Sequence, residues 1–333
     1  MRLQGLGRKL LISAGLGVAV LAALGIAGDV ASLGRSLAAF HWSLLPAVLA
    51  LTLCNYGLRF VKWQYMLRVL AIPPIRVADS LRIFFGGLAM TITPGKVGEW
   101  VKSALLKEAT GAPISATAPI VFVERLSDGL AMAILASTGL LVYEFGWEIL
   151  AGAAVVAILV VGLSQYRPLA HAAIAVAARI PLLGTRVRHL HTFYESARLL
   201  LTGKTLGFAV ALGVVSWSAE GVAFYLILLG LGLPPSPTML VQAIAILATS
   251  TIAGAVSMLP GGLAAAEGSI AGLLLLLGVV PDPTQAAAAT LLIRFATLWF
   301  GVAVGFVSLA TLSRSGLSTS DSQPSDRRVP PAG

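Results

Sequence analysis

Charge is what this sequence has least of. Lys, Arg, Asp and Glu make up 11% of its 333 residues, while 57% are hydrophobic. A soluble domain carries roughly a quarter charged residues. A core this apolar would lack the polar surface to cover it, so the composition excludes a soluble globular protein and makes the bilayer the natural solvent. Cysteine is nearly absent: Cys54 stands alone, which excludes an internal disulfide and any Cys-rich metal site. His41, His171, His189 and His191 form no ligand pattern with carboxylates, and His189 and His191, two apart, do not share a helix face. No metal or other cofactor is expected. There is no HExxH, paired-Asp, GxSxG or nucleotide-binding motif, so the chain is not expected to be an enzyme, and ATP-driven transport would need a partner.

What charge there is has a sign and a distribution. The net charge is +9, but the basic residues lie between long apolar runs. That pattern argues against nucleic acid and for a surface facing anionic lipid headgroups. Arg2, Arg8 and Lys9 precede an uncharged run from Leu10 to Ala27. The run exceeds a typical signal-peptide core, so it is read as an uncleaved first span. Further apolar segments cover 43–66, 116–142, 149–166, 206–231 and 285–312. The segment 83–95 is uncharged but short, a rise of about 20 Å against a hydrocarbon core of about 30 Å. It is read as one arm of a re-entrant hairpin, with its turn at Thr93-Pro94-Gly95 and its returning arm at 97–110. Residues 239–258 and 263–278 flank a second break, Leu259-Pro260-Gly261-Gly262, with arms long enough to span fully. Polar, basic 164–204 reads as a connector of surface-lying helices, 169–180 being amphipathic, and 313–333 as a disordered tail.

The resulting expectation is an all-α polytopic membrane bundle. It has about six spans plus two oppositely directed hairpins, or eight spans, in one transmembrane domain over 1–312. Against this topology, 20 of the 23 Lys and Arg fall on one side, with Arg35 opposite and Arg125 and Arg294 inside spans. The asymmetry places both termini, 164–204 and the tail in the cytoplasm of a cell inner (plasma) membrane protein. Half-repeats at about 43–142 and 206–312 share an order: span, Pro-Gly hairpin, span with a deep Arg. The separation from Pro94 to Arg125 nearly matches that from Pro260 to Arg294. Opposed hairpins in two halves are a transporter signature, in which broken helices meet at the substrate site; chance recurrence of Pro-Gly in a chain with 35 Gly and 17 Pro is the plainer reading.

Three charged segments carry the candidate site. Lys96 and Glu99 follow the break at Pro94-Gly95, where free amides at the start of 97–110 could take a phosphate; a plain surface Lys–Glu pair is the other reading. Glu124, Arg125 and Asp128 lie about 12 Å into their span. A charge at that depth costs about 2.5–3.5 kcal/mol on insertion scales, so these groups should face the bundle interior and pair. They could equally be a structural ion pair that fixes helix packing. Glu267 follows the second tip, Pro260-Gly261-Gly262, Arg294 lies about 14 Å down the last span, and Glu220 sits mid-span. At least one of these carboxylates is expected to pair with Arg294. Lys96, Glu99, Glu124, Arg125, Glu267 and Arg294 are expected to line one cavity, net positive at its cytoplasmic end.

Four segments, TPGKVGEWVKSALL (93–106), ERLSDGLAM (124–132), LPGGLAAAEG (259–268) and LLIRFATLWFG (291–301), give the chain a resemblance to the lysylphosphatidylglycerol synthetase transmembrane-region family, also called flippase-like membrane proteins. The resemblance covers about 10–312 and implies a multi-spanning fold that binds or translocates polar lipids. Relatives with a fused soluble aminoacyltransferase domain also synthesise aminoacylated lipid; here only the short tail 313–333 follows Leu312, so synthesis is not implied. One departure is Ala264-Ala265-Ala266, where the family pattern has a second glycine near the glutamate. The expected ligand is a membrane phospholipid or polyprenyl-phosphate lipid. The expected role is a flippase or transporter; the alternative is a lipid-binding accessory or scaffold for a membrane glycosyltransferase or lipid synthase.

Overall fold

A computed structural model of the chain describes residues 30–93, 99–141, 147–179 and 187–315. The expected first span, the tip residues Pro94, Gly95 and Lys96, and the tail from 316 lie outside them. The described residues are helical, with no strand among them. The first half contains α1 (Val30–Ala38), α2 (Leu45–Val69), α3 (Val77–Leu88), α4 (Val101–Thr110) and α5 (Ile114–Ala136). The connecting region contains α6 (Trp147–Gln165), α7 (Arg167–Ala178) and α8 (Val187–Leu200). The second half contains α9 (Gly203–Gly230), α10 (Pro237–Val256), α11 (Ala265–Leu276), α12 (Pro283–Arg294) and α13 (Phe300–Ser315). A π-helical turn, Phe295–Trp299, joins α12 to α13.

Four segments are long and apolar enough to cross a membrane: Trp42–Val69, Gly203–Gly230, Pro237–Val256 and Pro283–Leu312. Helix α5 has 23 residues, roughly 35 Å, but its charges keep it out of that set. Between α6 and α7 the axis bends by 72°. Helix α6 leaves Val155, Ile158, Leu159 and Leu163 exposed along its length, an apolar face that suits lipid and not water. The second expected break, at Pro260–Gly262, is present; the first falls on residues outside those described, between α3 and α4. Helices α3 and α4, of 12 and 10 residues, are each too short to cross. The second break is unequal: α10 is long enough to span and α11, with 12 residues, is not.

Two apolar cores organise the bundle. One joins the start of α2 (Val48) to Phe224, Ile227 and Leu228 of α9 and to α10–α12. The other joins the end of α2 (Trp63, Met66) to Leu206 and Ala209 of α9 and to α3, α4, α5 and α8. Helices α2 and α9 therefore run antiparallel, each from one core to the other. Asn55 donates from Nδ2 to the Ser216 carbonyl at 2.9 Å halfway along both. Thr52, Asn55 and Arg59 of α2 and Ser216 and Glu220 of α9, all buried, fall in that middle band.

The outer contacts are reciprocal. Helix α3 of the first break packs against α13 of the second half, and α10 of the second break packs against α5 of the first. The α3–α13 contact needs a glycine. A Cβ on Gly305 would overlap the Ala89 nitrogen and stand 2.9 Å from the Phe85 oxygen, backbone atoms that cannot give way. Such small-residue contacts carry helix association where burial from water does not. Gly305→Ala is expected to destabilise the purified protein by about 1–3 kcal/mol. Gly272→Ala, which meets nothing within 4 Å, is expected to leave thermal unfolding in detergent unchanged.

Candidate functional site: a polar chamber between the two cores

Helix α2 carries a stripe at helical spacing: Thr52, Asn55, Tyr56, Arg59 and Lys62, all buried. Opposite it on α9 stand Gly213, Ser216 and Glu220, also buried, and the partly buried Trp217. From sequence, Arg59 and Lys62 belong to the cytoplasmic end of their span. The helix instead continues to Val69, which leaves Lys62 only 1% exposed and Arg59 9%. Lys102, counted with the cytoplasmic hairpin, is 4% exposed. These three cations belong to the interior and drop out of the topological count.

Each finds a carboxylate on α5. Lys62 Nζ donates to Asp128 Oδ1 at 2.5 Å and to Ser127 Oγ at 3.2 Å. Arg59 approaches Asp128 Oδ2 at 3.6 Å and lies 5.2 Å from the Trp217 ring centre. Lys102 Nζ meets Glu124 Oε2 at 2.5 Å and sits over Trp63 and Phe84. Burying a Lys–Glu pair among aromatic rings fixes α4 on α5, and Glu124 lines neither of the two spaces that open onto the other charges. Glu124 and Asp128, one helical turn apart, thus serve different partners.

The two deep arginines are held alike. Arg125 reaches Glu99 Oε2 at 3.2 Å and Asp128 Oδ2 at 3.7 Å. Arg294 donates from Nε to Glu267 Oε1 at 2.6 Å and from Nη2 to the Gly261 carbonyl at 2.7 Å. Glu99 stands just before α4, and Glu267 lies in the first turn of α11. Both carboxylates therefore occupy the positive end of a helix dipole. In each half, the glutamate that follows the break clasps the arginine of the next long helix. Glu99 stands at the amide end of α4, the end expected to take a phosphate.

The second tip is strained as well as broken. Met258, Gly261, Gly262 and Ala264 all have positive φ, from 56° to 69°. A Cβ on Gly262 would meet the Gly254 backbone at 3.1 Å, so the tip lies directly on α10. Ala264, at φ 69° and ψ −49°, occupies a rare γ-turn conformation. This is the stretch in which the family pattern has a second glycine. Ala264→Gly is expected to raise stability by about 1 kcal/mol, read as a higher unfolding temperature.

Two spaces open onto these groups. A chamber of about 120 Å³ is lined by Arg59, Arg125, Glu220 and Arg294, with Tyr56 and Trp217 and the tip glycines Gly261 and Gly262. Beside it runs a mainly apolar groove of about 670 Å³ between α5, α6 and α10, with Glu99 and Asp128 in its wall. Arg125, Trp217, Thr251, Gly254 and Ala255 line both. Of the residues expected in one cavity, Arg125 and Arg294 are in the chamber, Glu99 is on the groove, Glu267 is behind Arg294, Glu124 is elsewhere and Lys96 is undescribed. Glu220, 4% exposed, lines the chamber but makes no hydrogen bond or ion pair among the described residues. Its electrostatic neighbours are Arg59, Asp128 and Arg294.

The Lys102–Glu124 pair can be separated experimentally from the chamber. Lys102→Met or Glu124→Leu alone is expected to destabilise by about 3–5 kcal/mol, because each strands a buried charge. The double variant is expected to recover most of that loss. Thermal unfolding of the two single variants and the double completes the cycle.

No curated protein matches the chain. The model of the family described as lysylphosphatidylglycerol synthase TM region matches residues 9–305. That match takes in both breaks, all four deep clasp residues and the whole chamber, and the chain is a membrane protein belonging to the lysylphosphatidylglycerol synthase transmembrane-region family.

Proposed function

We propose that this protein binds a polar, phosphate-bearing membrane lipid and moves it across the bilayer. The observation that carries the reading is the joining of chamber and groove through Arg125, Trp217, Thr251, Gly254 and Ala255. An amphiphile needs such a pair of compartments: cationic N–H donors for a headgroup phosphate and an apolar channel for its chains. Arg125 Nε is buried without a hydrogen-bond partner, so this guanidinium keeps donor capacity despite its ion pairs.

Movement is supported by the repeated architecture. The Glu99–Arg125 and Glu267–Arg294 clasps and the exchange of α3–α13 and α10–α5 contacts are what two inverted halves around a central site would produce. Rocking one half against the other would open the chamber to alternate leaflets. The ligand is a phospholipid or a polyprenyl-phosphate carrier, and the protein catalyses no covalent step. Both termini face the cytoplasm of the inner membrane. With Cys54→Ser as background, a cysteine placed at Ser164 or Ser320 should resist external labelling in intact cells; labelling at either would reverse the orientation.

In proteoliposomes carrying fluorescent phospholipid in both leaflets, the protein is expected to speed equilibration between leaflets. Arg125→Ala or Arg294→Ala should reduce that rate at least tenfold while the variant still inserts. Unchanged rates in both variants would return the arginines to a packing role. Lipid retained through purification but not moved would make the protein a lipid-holding subunit for a membrane synthase or glycosyltransferase.

A further inference from the structure

The buried charges at the middle of the bundle balance among the described residues. Arg59, Lys62, Lys102, Arg125 and Arg294 supply five positive charges. Glu99, Glu124, Asp128 and Glu267 supply four negative ones, and Glu220 a fifth in its ionised form. Four of these carboxylates lie in ion pairs, and the Glu220 carboxylate does not. With Glu220 ionised, the described cluster around the chamber therefore carries no net charge; Lys96, on which the expected positive end rests with Arg125, lies outside the described residues.

That balance limits what can enter. A headgroup with one net negative charge would leave an uncompensated charge in a site removed from bulk water, which is costly at low dielectric. A headgroup with one phosphate and one ammonium would leave the cluster neutral. The chamber presents a partner for each end. Arg125, Arg294 and Arg59 offer N–H donors for the phosphate. Glu220 offers an unpaired carboxylate, with Trp217 one turn before it and Tyr56 across from it, the aromatic company an ammonium also favours.

Size points the same way. A chamber of about 120 Å³ has room for a compact headgroup. The apolar groove begins at Arg125 and Trp217, so acyl chains would leave the chamber on the phosphate side.

We propose that the chamber selects a zwitterionic lipid headgroup, holding its phosphate on Arg125 and Arg294 and its ammonium on Glu220. The inference rests on the lipid-binding reading above and narrows it to one charge class. The test uses the full chain in detergent, with phosphatidylethanolamine and phosphatidylglycerol of identical acyl chains in equimolar competition, and bound lipid counted by native mass spectrometry. The unaltered protein should retain phosphatidylethanolamine in preference. Glu220→Gln should weaken phosphatidylethanolamine retention about tenfold and spare phosphatidylglycerol, which abolishes the preference. A wild-type preference for phosphatidylglycerol, which needs no variant to observe, overturns the proposal; so does a preference that Glu220→Gln leaves intact. If Arg125→Ala and Arg294→Ala release both lipids while phosphatidylglycerol is preferred, only the charge-class inference falls. If those variants retain both lipids at wild-type levels, the lipid-site reading falls with it.

Discussion

An arginine placed halfway through a membrane helix must be neutralised locally, and in this protein the neutralising group comes from a broken helix. Glu99 reaches Arg125, and Glu267 reaches Arg294, each from the start of a helix too short to cross the bilayer. Everything around the site follows from that requirement. The break brings a carboxylate to depth. The dipole of the short helix favours that carboxylate's charge. The irregular backbone at the tip then needs polar company, which the arginine supplies through the Gly261 carbonyl. The arrangement is self-consistent only when hairpin and long helix are docked together.

The chamber is thus a by-product of ion pairs that are already satisfied. Its walls are guanidinium groups with some donors committed and others left over, together with the uncommitted Glu220. A rigid scaffold surrounds them: apolar cores above and below, and α2 and α9 running through both. The π-helical turn that begins directly after Arg294 contributes too. Within it the Thr297 carbonyl accepts from Tyr56 at 2.6 Å, tying α2 to the helix that carries the arginine. Such π turns recur where a helix must aim a functional side chain.

Much of this is legible in the sequence. The short run at 83–95, the second Pro-Gly break and the depth of Arg125 and Arg294 follow from hydropathy and rise per residue alone, and the pairing of Arg294 with a carboxylate follows from desolvation cost. What escapes a sequence reading shares one cause. Arg59, Lys62 and Lys102 stand near the ends of apolar runs, where counting charges per loop reads them as loop residues. The stripe Asn55, Tyr56, Arg59, Lys62 at three- and four-residue spacing is the available signal that the helix continues and faces inward. Glu124 groups with the cavity on paper because it neighbours Arg125 in sequence, yet adjacent helical residues point about 100° apart. The π turn and the strained Ala264 leave no compositional mark; only the missing glycine beside Glu267 hints at the latter.

The division of charge between the halves bears on how the chain is built. Among the described residues of the central cluster, the first half contributes four cations and three carboxylates; the second contributes Arg294 against Glu220 and Glu267. Each half alone therefore holds one surplus buried charge, of opposite sign. During synthesis the first half emerges with four cations sharing three carboxylates, and Glu220 of α9 follows only after the whole connector of α6, α7 and α8 has been made. Neither half is a finished unit, so biogenesis must keep the early helices together, sheltered from lipid, until the later ones are delivered. A chain divided at the connector would have to be reassembled through the same electrostatic complement, which makes the buried charge a selector of the correct partner half.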